Sequence, residues 1–460
     1  MGHAHNELKN LQQWQEYLLA LHPTEIDMGL DRIRTVYERL DTESPALKIV
    51  IGGTNGKGST AAILESILLT SGYRVGVYSS PHLVRFNERF RINGNLPTDD
   101  ELCQHLAAVE AQRGETSLTF FEHTTLAAFH LFAQKDLDVW ILEVGLGGRL
   151  DAVNLIDSDC AVLTQVDLDH QEYLSGDREQ IGFEKAAIFR SGQPAICGDA
   201  TPPRSVLDYA AQIKAPLWVM DRDFSVQVEM HQWQYRGPHR RRSALPFPAL
   251  RGANQLPNAA IALAVLDALN DRLVIPIQDI KHGLLNAHLD GRFQVLPGQP
   301  TTILDVGHNP HALRSFAYNL QQIPTTGRTI AVVGMLKDKE VVNALKPLVN
   351  HIDLWLCASI PGARGLDAQT LSSFVKQAYA TAENPAINPS DDTTKQQRPT
   401  VRPRATPVKS VTLETQCFDS VTDAFQAAQR LSTDNDKIAV FGSFMTVGPV
   451  LAHINMGKVA

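Results

Sequence analysis

Residues 52–60, Gly52-Gly53-Thr54-Asn55-Gly56-Lys57-Gly58-Ser59-Thr60, contain the parts needed to hold a polyphosphate. Glycines leave backbone N–H groups free to turn toward an anion, and Lys57 offers a mobile positive charge for outer phosphates. Ser59 or Thr60 offers a hydroxyl for Mg2+. The candidate nucleotide-binding residues are therefore Thr54, Asn55, Gly56, Lys57, Gly58 and Ser59. The run departs from the strict G-x4-G-K-[ST] form: Ile51 stands where the first Gly belongs, and Gly58 separates Lys57 from Ser59. A structural Gly-rich turn would explain the glycines but not the Lys and the hydroxyls beside them.

Such a loop works only between a strand and a helix, where the helix N-terminus adds its dipole. Lys48-Ile49-Val50-Ile51 reads as a buried strand, Ala61 to Leu69 as a helix and Arg74 to Tyr78 as the next strand. Asp138 to Leu142 and Cys160 to Thr164 are further buried strands, so the β-α-β-α pattern from 46 to about 220 predicts a mostly parallel sheet covered by helices. Residues 224–248 alternate polar and apolar and predict a hairpin appended to that sheet, with Arg240-Arg241-Arg242 at its solvated tip. No aromatic interleaving makes that run a nucleic-acid patch. Asn258 to Leu269 is an Ala/Leu-rich helix, and Leu296-Pro297-Gly298-Gln299-Pro300 reads as a linker. Beyond it, Thr302–Asp305, Thr329–Gly334, Leu354–Cys357 and Lys437–Gly442 predict a smaller, Rossmann-like α/β domain. The expected division is thus 1–296, a P-loop ATPase domain, and 297–460. The stretch 381–410 holds Pro385, Pro389, Pro399, Pro403 and Pro407 and no aromatics, so it is expected to be a mobile insertion.

Bulk properties set limits on the class. At 460 residues, two to three domains are expected, and 43% hydrophobic residues with 20% charged supply ordinary globular cores. A net charge of −8 argues against a nucleic-acid partner. Five scattered cysteines with no C-x-x-C pair suit reduced thiols and a cytoplasmic location. Met1 to Lys9 is polar, without the apolar stretch of a signal peptide, and no apolar run is long enough to cross a membrane.

Other residues could complete a site around the loop. Glu143 closes an apolar strand and precedes Val144-Gly145-Leu146-Gly147-Gly148, a position from which a carboxylate can hold Mg2+. In Asp167-Leu168-Asp169-His170 the hard cation favours the oxygen of Asp167 or Asp169. Lys185, in Gly182-Phe183-Glu184-Lys185-Ala186, reads by itself as an ion-pairing residue at the start of a helix.

The run Thr54-Asn55-Gly56-Lys57-Gly58-Ser59 resembles the loop of the folate branch of the Mur ligase superfamily, ATP-dependent enzymes that join a carboxylate to an amino acid. The likeness extends from about Leu11 to Val447, except for 381–410. It implies two Mg2+ ions, held by Ser80 of Ser79-Ser80-Pro81-His82, by Glu143, by His170 and by a carbamylated Lys185. Lys57, Glu143, His170 and Lys185 become the expected catalytic set. The following Arg85-Phe86-Asn87-Glu88-Arg89 looks like a mobile active-site loop. Three segments resemble the lining of a pterin pocket: Asp27-Met28-Gly29-Leu30, Thr119-Phe120-Phe121-Glu122 and Leu150-Asp151-Ala152. An aromatic ring can stack on a pterin, and an Asp carboxylate can accept two of its hydrogen bonds. Asn258, Arg292 and Asp305 match the family's nucleotide contacts, and the glutamate site is expected near His308.

The resemblance implies an ATP-dependent ligase that adds L-glutamate to dihydropteroate, forming dihydrofolate, and to the glutamate tail of reduced folates. The carboxylate would be activated as an acyl phosphate, shielded from water by domain closure. The implied partners are these small molecules, with no nucleic acid, no membrane and a monomeric chain. Three alternatives remain: action on folates only, a Mur-type ligase with a UDP-linked acceptor, or a nucleotide-binding switch protein. A phosphate loop within the first ~50 residues weighs against the UDP-linked reading, and the Glu143–His170–Lys185 set against the switch.

Overall fold

The computed structural model describes residues 10–167, 177–382 and 413–459. Two compact units emerge, the first ending at Leu289 and the second beginning at Asp290. The first is built on a seven-stranded sheet: β1 (Leu47–Gly52), β2 (Val75–Tyr78), β3 (Phe90–Ile92), β4 (Val139–Glu143), β5 (Cys160–Leu163), β6 (Ala195–Cys197) and β7 (Leu217–Val219). The spatial order is β3-β2-β4-β1-β5-β6-β7. Every pair is parallel except β2 with β3.

The apolar strands are covered on both faces because successive residues point to opposite sides. Val50, Trp140, Leu142, Ala161 and Leu163 enter one core with the helices Leu11–Ala20, Asp99–Arg113 and Phe120–Ala133. Ile49, Ile51, Val139, Ile141 and Val162 enter the other, with the helices Lys57–Thr70, Gln255–Ala268 and Ile277–Asn286.

The region 224–248 differs from the expected hairpin. It is a separate antiparallel sheet of three strands, β8 (Ser225–Val228), β9 (Trp233–Arg236) and β10 (Arg241–Leu245), in the order β10-β9-β8. Arg241 and Arg242 belong to β10 rather than a tip, and the Arg242 guanidinium lies 5.7 Å from the Tyr235 ring centroid.

In the second unit, β11 (Gln294–Leu296), β12 (Thr301–Asp305), β13 (Thr329–Val333), β14 (Leu354–Ala358), β15 (Thr415–Phe418) and β16 (Lys437–Phe441) form a sheet of order β11-β12-β16-β13-β14-β15. The Pro/Gly run read as a linker is the turn of the β11–β12 hairpin, where Leu296 pairs with Thr302. Turn chemistry and linker chemistry share the same residues, and only pairing tells them apart. Of the segment 381–410, only its first two residues are described, as the end of the helix Ala368–Ala382. The rest lies outside the described residues. Among the described residues, no helix is long and apolar enough to cross a membrane. All five cysteines are unpaired.

The helix that begins at Lys57 rests closely on Ile277–Asn286. A Cβ on Gly283 would stand 2.5 Å from Ile67 Cα and 2.8 Å from Ile67 N, and Ser66 Oγ donates to the Gly283 carbonyl at 2.8 Å. The neighbour is backbone and cannot rotate away. Gly283→Ala is therefore expected to destabilise the protein by about 1–3 kcal/mol, overpacking outweighing Ala's better helix propensity. A lowered Tm in calorimetry checks this; an unchanged or raised Tm would contradict it.

Candidate active site

Parallel strands deliver their following loops to one end of the sheet. β4 lies between β2 and β1, and β5 lies on the far side of β1, so the chain reverses direction across the sheet at β1, where such folds bind ligands. The register sets Ile51 beside Glu143 and Gly52 beside Leu163. The phosphate loop after β1, Glu143 at the end of β4 and Thr164 after β5 are thereby brought together. Ser79 and Ser80 follow β2 at the same end, and Tyr78 pairs with Leu142.

The loop is fixed by the exit of β5. Thr164 Oγ1 donates to the Asn55 carbonyl at 2.6 Å, and Thr54 N donates to the Gln165 carbonyl at 2.8 Å. Thr54 Oγ1 both donates to the Asp167 carbonyl and accepts from Asp167 N, each at 3.0 Å. Gly53 sits at φ +138°, and a Cβ there would lie 2.0 Å from Thr164 Oγ1, so this position takes only glycine. Lys57 opens the helix, its Nζ donating to the Gly53 carbonyl at 3.0 Å. Asn258 is buried against the loop: its Oδ1 is 2.6 Å from where a Gly56 Cβ would stand. Ser59 and Thr60 are both buried, and among the described residues Thr60 Oγ1 has no hydrogen-bond partner.

A cavity forms here, lined by Gly53, Thr54, Lys57, Gly145, Gly147 and Lys185 among others. Lys185 is not at the start of its helix as the sequence suggested. The helix is Arg178–Ala186, begun by Asp177, whose side chain accepts from Gln180 N, so Lys185 lies in its last turn, buried. A Cβ on Gly148 would be 2.6 Å from the Glu184 carbonyl oxygen and 3.0 Å from Lys185 Cα. The bare glycine is what lets the loop after β4 lie against Lys185. Glu143 is likewise buried. His170 lies outside the described residues. Among the described ones no three His, Cys, Asp or Glu side chains converge as a metal site.

The three segments expected to line a pterin pocket meet a denser network than the sequence indicates. Thr119 caps the helix Phe120–Ala133 reciprocally with Glu122: Glu122 N donates to Thr119 Oγ1 at 3.2 Å, and Thr119 N donates to Glu122 Oε2 at 2.8 Å. Glu122 also accepts from Arg32 Nη2 at 3.1 Å, while Arg32 Nη1 donates to Asp27 Oδ2 at 2.7 Å. Asp27 is exposed and ion-paired, and Met28, Gly29 and Leu30 beside it are half-buried. Phe120 and Phe121 are both half-buried, so neither is a simple core residue. Asp151, between Leu150 and Ala152, is buried and caps a short 3-10 helix. Its oxygens accept from Leu146 N at 2.8 Å and Val153 N at 2.9 Å. Burial pushes its carboxyl up to about 6, against those two bonds and the Lys57 charge.

The segment read as a mobile loop, 85–89, is a packed 3-10 turn, Phe86–Arg89. Glu88 accepts from Leu83 N, Val84 N and Arg85 N at 2.7, 3.0 and 2.7 Å, and Asn87 Nδ2 donates to the Pro97 carbonyl. Arg89, which the sequence reading left without a role, is buried here, its Nε donating to His82 Nδ1 at 2.9 Å. Burial and the adjacent Arg89 charge hold His82 down to about 4, so the ring is a neutral acceptor.

In the second unit, the turns after β12 and β16 stand side by side because those strands pair. Asp305 accepts from Phe293 N at 2.8 Å and Gly307 N at 2.7 Å, and the Arg292 guanidinium lies 5.0 Å from the Phe444 ring centroid. His308 Nδ1 is 3.0 Å from the Val306 carbonyl oxygen. Ser443, unmarked in the sequence reading, follows β16 and shares a hydrogen bond of 2.9 Å with Thr446.

The Mur ligase middle domain matches residues 51–266, and the Mur ligase glutamate ligase domain matches residues 291–444. The chain is 40% identical to the dihydrofolate synthase/folylpolyglutamate synthase of Escherichia coli, covering 97% of this chain and 96% of that one. Among solved structures it resembles E. coli FolC in complex with DHPP and ADP, with a TM-score of 0.86 and 39% identity, covering 98% of this chain and 99% of that one. It also resembles a bifunctional folylpolyglutamate synthase/dihydrofolate synthase with Mn, AMPPNP and L-glutamate bound, with a TM-score of 0.83 and 41% identity, covering 97% and 98%.

The raised Asp151 carboxyl gives a pH test. In the unfolded chain an Asp ionises near 3.9, and in the folded protein near 6, so between these values the folded state binds more protons. Stability from this group is present in full below about pH 4 and is lost as pH rises through about 6. Relative to Asp151→Asn, which cannot ionise, the wild type should lose roughly 2–3 kcal/mol between pH 4 and pH 7, at 1.36 kcal/mol per unit. Denaturant titrations at both pH values measure the difference; a constant gap between the two proteins would exclude it.

Proposed function

This chain belongs to the dihydrofolate synthase/folylpolyglutamate synthase family of Mur ligases, and on that premise we propose that it is an ATP-dependent carboxylate–amine ligase. It adds L-glutamate to dihydropteroate and to the glutamate tail of reduced folates. The observation that carries this reading is the cavity in which Lys57 and the phosphate loop face Lys185 beside the end of β4. The donors around it suit a nucleotide and a hard cation: backbone N–H groups, an ammonium, hydroxyl oxygen and the carboxylate of Glu143.

Magnesium-bound ATP supplies the phosphoryl group that turns the substrate carboxylate into an acyl phosphate, the electrophile for the glutamate amine. The chain's residues bind and orient. The loop backbone from Thr54 to Ser59 cradles the phosphates, and Lys57 exchanges its bond to the Gly53 carbonyl for a phosphate oxygen. Ser59 or Thr60, both at the start of the helix, offers the hydroxyl. Ser80, Glu143, His170 and a carbamylated Lys185 hold two Mg2+ ions. Asn258, with Arg292 and Asp305 of the second unit, is assigned to the nucleotide. Phe121 and Asp151, with Met28, Gly29, Leu30, Thr119, Phe120, Leu150 and Ala152, are assigned to the pterin. Asp27 and Glu122 act on that pocket through Arg32, which engages both. The turns holding His308 and Ser443 are assigned to glutamate.

Phosphate release from ATP should require L-glutamate together with either 7,8-dihydropteroate or a reduced folate. Release with folates alone would remove the dihydrofolate synthase half, and silence with both would overturn the substrate assignment. Lys185 has its own test. In 13C-bicarbonate the wild type should give a carbamate carbonyl resonance that Lys185→Arg lacks, and Lys185→Ala should lose about 100-fold or more in kcat, the scale of one electrostatic group. An identical spectrum for the two proteins would exclude the modification.

A further inference from the structure

Among the described residues of the first unit, Arg89 is the one arginine that is buried. The half-buried Arg91 and Arg113 pair with Glu65 at 2.9 Å and Glu110 at 2.6 Å, whereas the half-buried Arg242 lies against the Tyr235 ring and among the described residues pairs with no carboxylate. Arg89 is only 9% exposed, yet among the described residues no carboxylate pairs with it. Its Nε donates to the His82 ring at 2.9 Å, and the Tyr78 hydroxyl is a further side-chain neighbour. Its faces lie against Phe86 and Phe120, 5.9 and 5.3 Å from the ring centroids. The adjacent carboxylate, Glu88, is taken up by three backbone N–H groups. The nearby Tyr78 hydroxyl sits 3.1 Å from both Thr124 and Thr125.

A guanidinium desolvated without a counterion is costly, and two aromatic faces offset only part of that cost. Such a group is maintained where a ligand brings the anion. Arg89 stands between Phe120, on the proposed pterin wall, and His82, two residues after Ser80. That is the span a pteroyl molecule crosses between its ring and its reacting end. A planar guanidinium matches a carboxylate through two parallel hydrogen bonds, which a lysine cannot reproduce. We infer that Arg89 is a substrate-binding residue that holds the carboxylate of the pteroyl substrate, using its Nη donors while Nε remains on His82. The inference rests on the proposed function and assigns a role that neither the loop motif nor the metal set requires.

The test is equilibrium binding of 7,8-dihydropteroate and of its carboxamide, which keeps the pterin and the ring but not the charge, to the full chain. Arg89→Met should weaken the acid by roughly 100-fold, the scale of losing one partner of a buried charge pair, and leave the amide within about 2-fold. Equal losses for acid and amide would mean a structural role only, and no loss for either would remove Arg89 from the site; both overturn the inference. Should Arg89→Met not fold, Arg89→Lys decides. A preference for acid over amide reduced by about 10-fold or more supports the bidentate contact, and an unchanged preference overturns it. A wild type that binds neither compound fails at the earlier step, the pteroyl substrate itself.

Discussion

The site depends on how closely the phosphate loop can lie against the exit of β5. Gly53 has no Cβ where one would strike Thr164, and Thr164 uses that closeness to reach the Asn55 carbonyl. Thr54 adds a reciprocal bond to Asp167. The loop is therefore held in shape before any phosphate arrives, and binding need not order it. From this contact the remainder follows. The parallel register sets Glu143 level with Ile51 at the loop's root, and the turn after β4 then runs on to Gly148, where Lys185 comes against the chain. The helix from Lys57 is fixed beneath by the helix carrying Gly283.

Polar groups buried around this site are mostly spoken for, which explains why several carboxylates act through structure. Glu122 completes a capping box and takes Arg32, Glu88 collects three backbone donors, and Asp151 collects two. In a medium of low dielectric an unmatched polar group is costly, so each such side chain fixes a segment as it satisfies itself. Asp151 illustrates the limit: two backbone bonds do not fully compensate its desolvation, and its carboxyl remains raised. Among the described residues Arg89 pairs with no carboxylate, the imbalance from which its proposed role in ligand binding is argued.

Much of the fold was legible because it rests on local pattern. The run Lys48–Ile51 followed by the Gly-rich loop, the apolar strands at 139–142 and 160–163, and the second set of strands after 301 all emerge as strands. The failures have physical causes. The residues 296–300 serve equally as linker or turn, and only the pairing of Leu296 with Thr302 makes them a turn. The strand Thr415–Phe418 is too short to stand out from a polar stretch, and it gains its identity by pairing with β14. Residues 85–89 look loose by composition, since the partners that engage Glu88 and Asn87 include a carbonyl ten residues away that accepts from Asn87 Nδ2.

The sequence alone determined the chemistry available. The loop residues, the carboxylate closing β4 and the lysine at 185 are defined by residue type and by position relative to strands, and both are local properties of the chain. Tertiary structure decided which of these groups are brought together and which are already engaged. Only pairing across more than a hundred residues joins Thr164 to Asn55, and only the fold shows that Asp27 and Glu122 share Arg32. The charge balance of Arg89 is likewise invisible in the sequence, because burial and counterions are properties of the surroundings, and distant segments supply the surroundings.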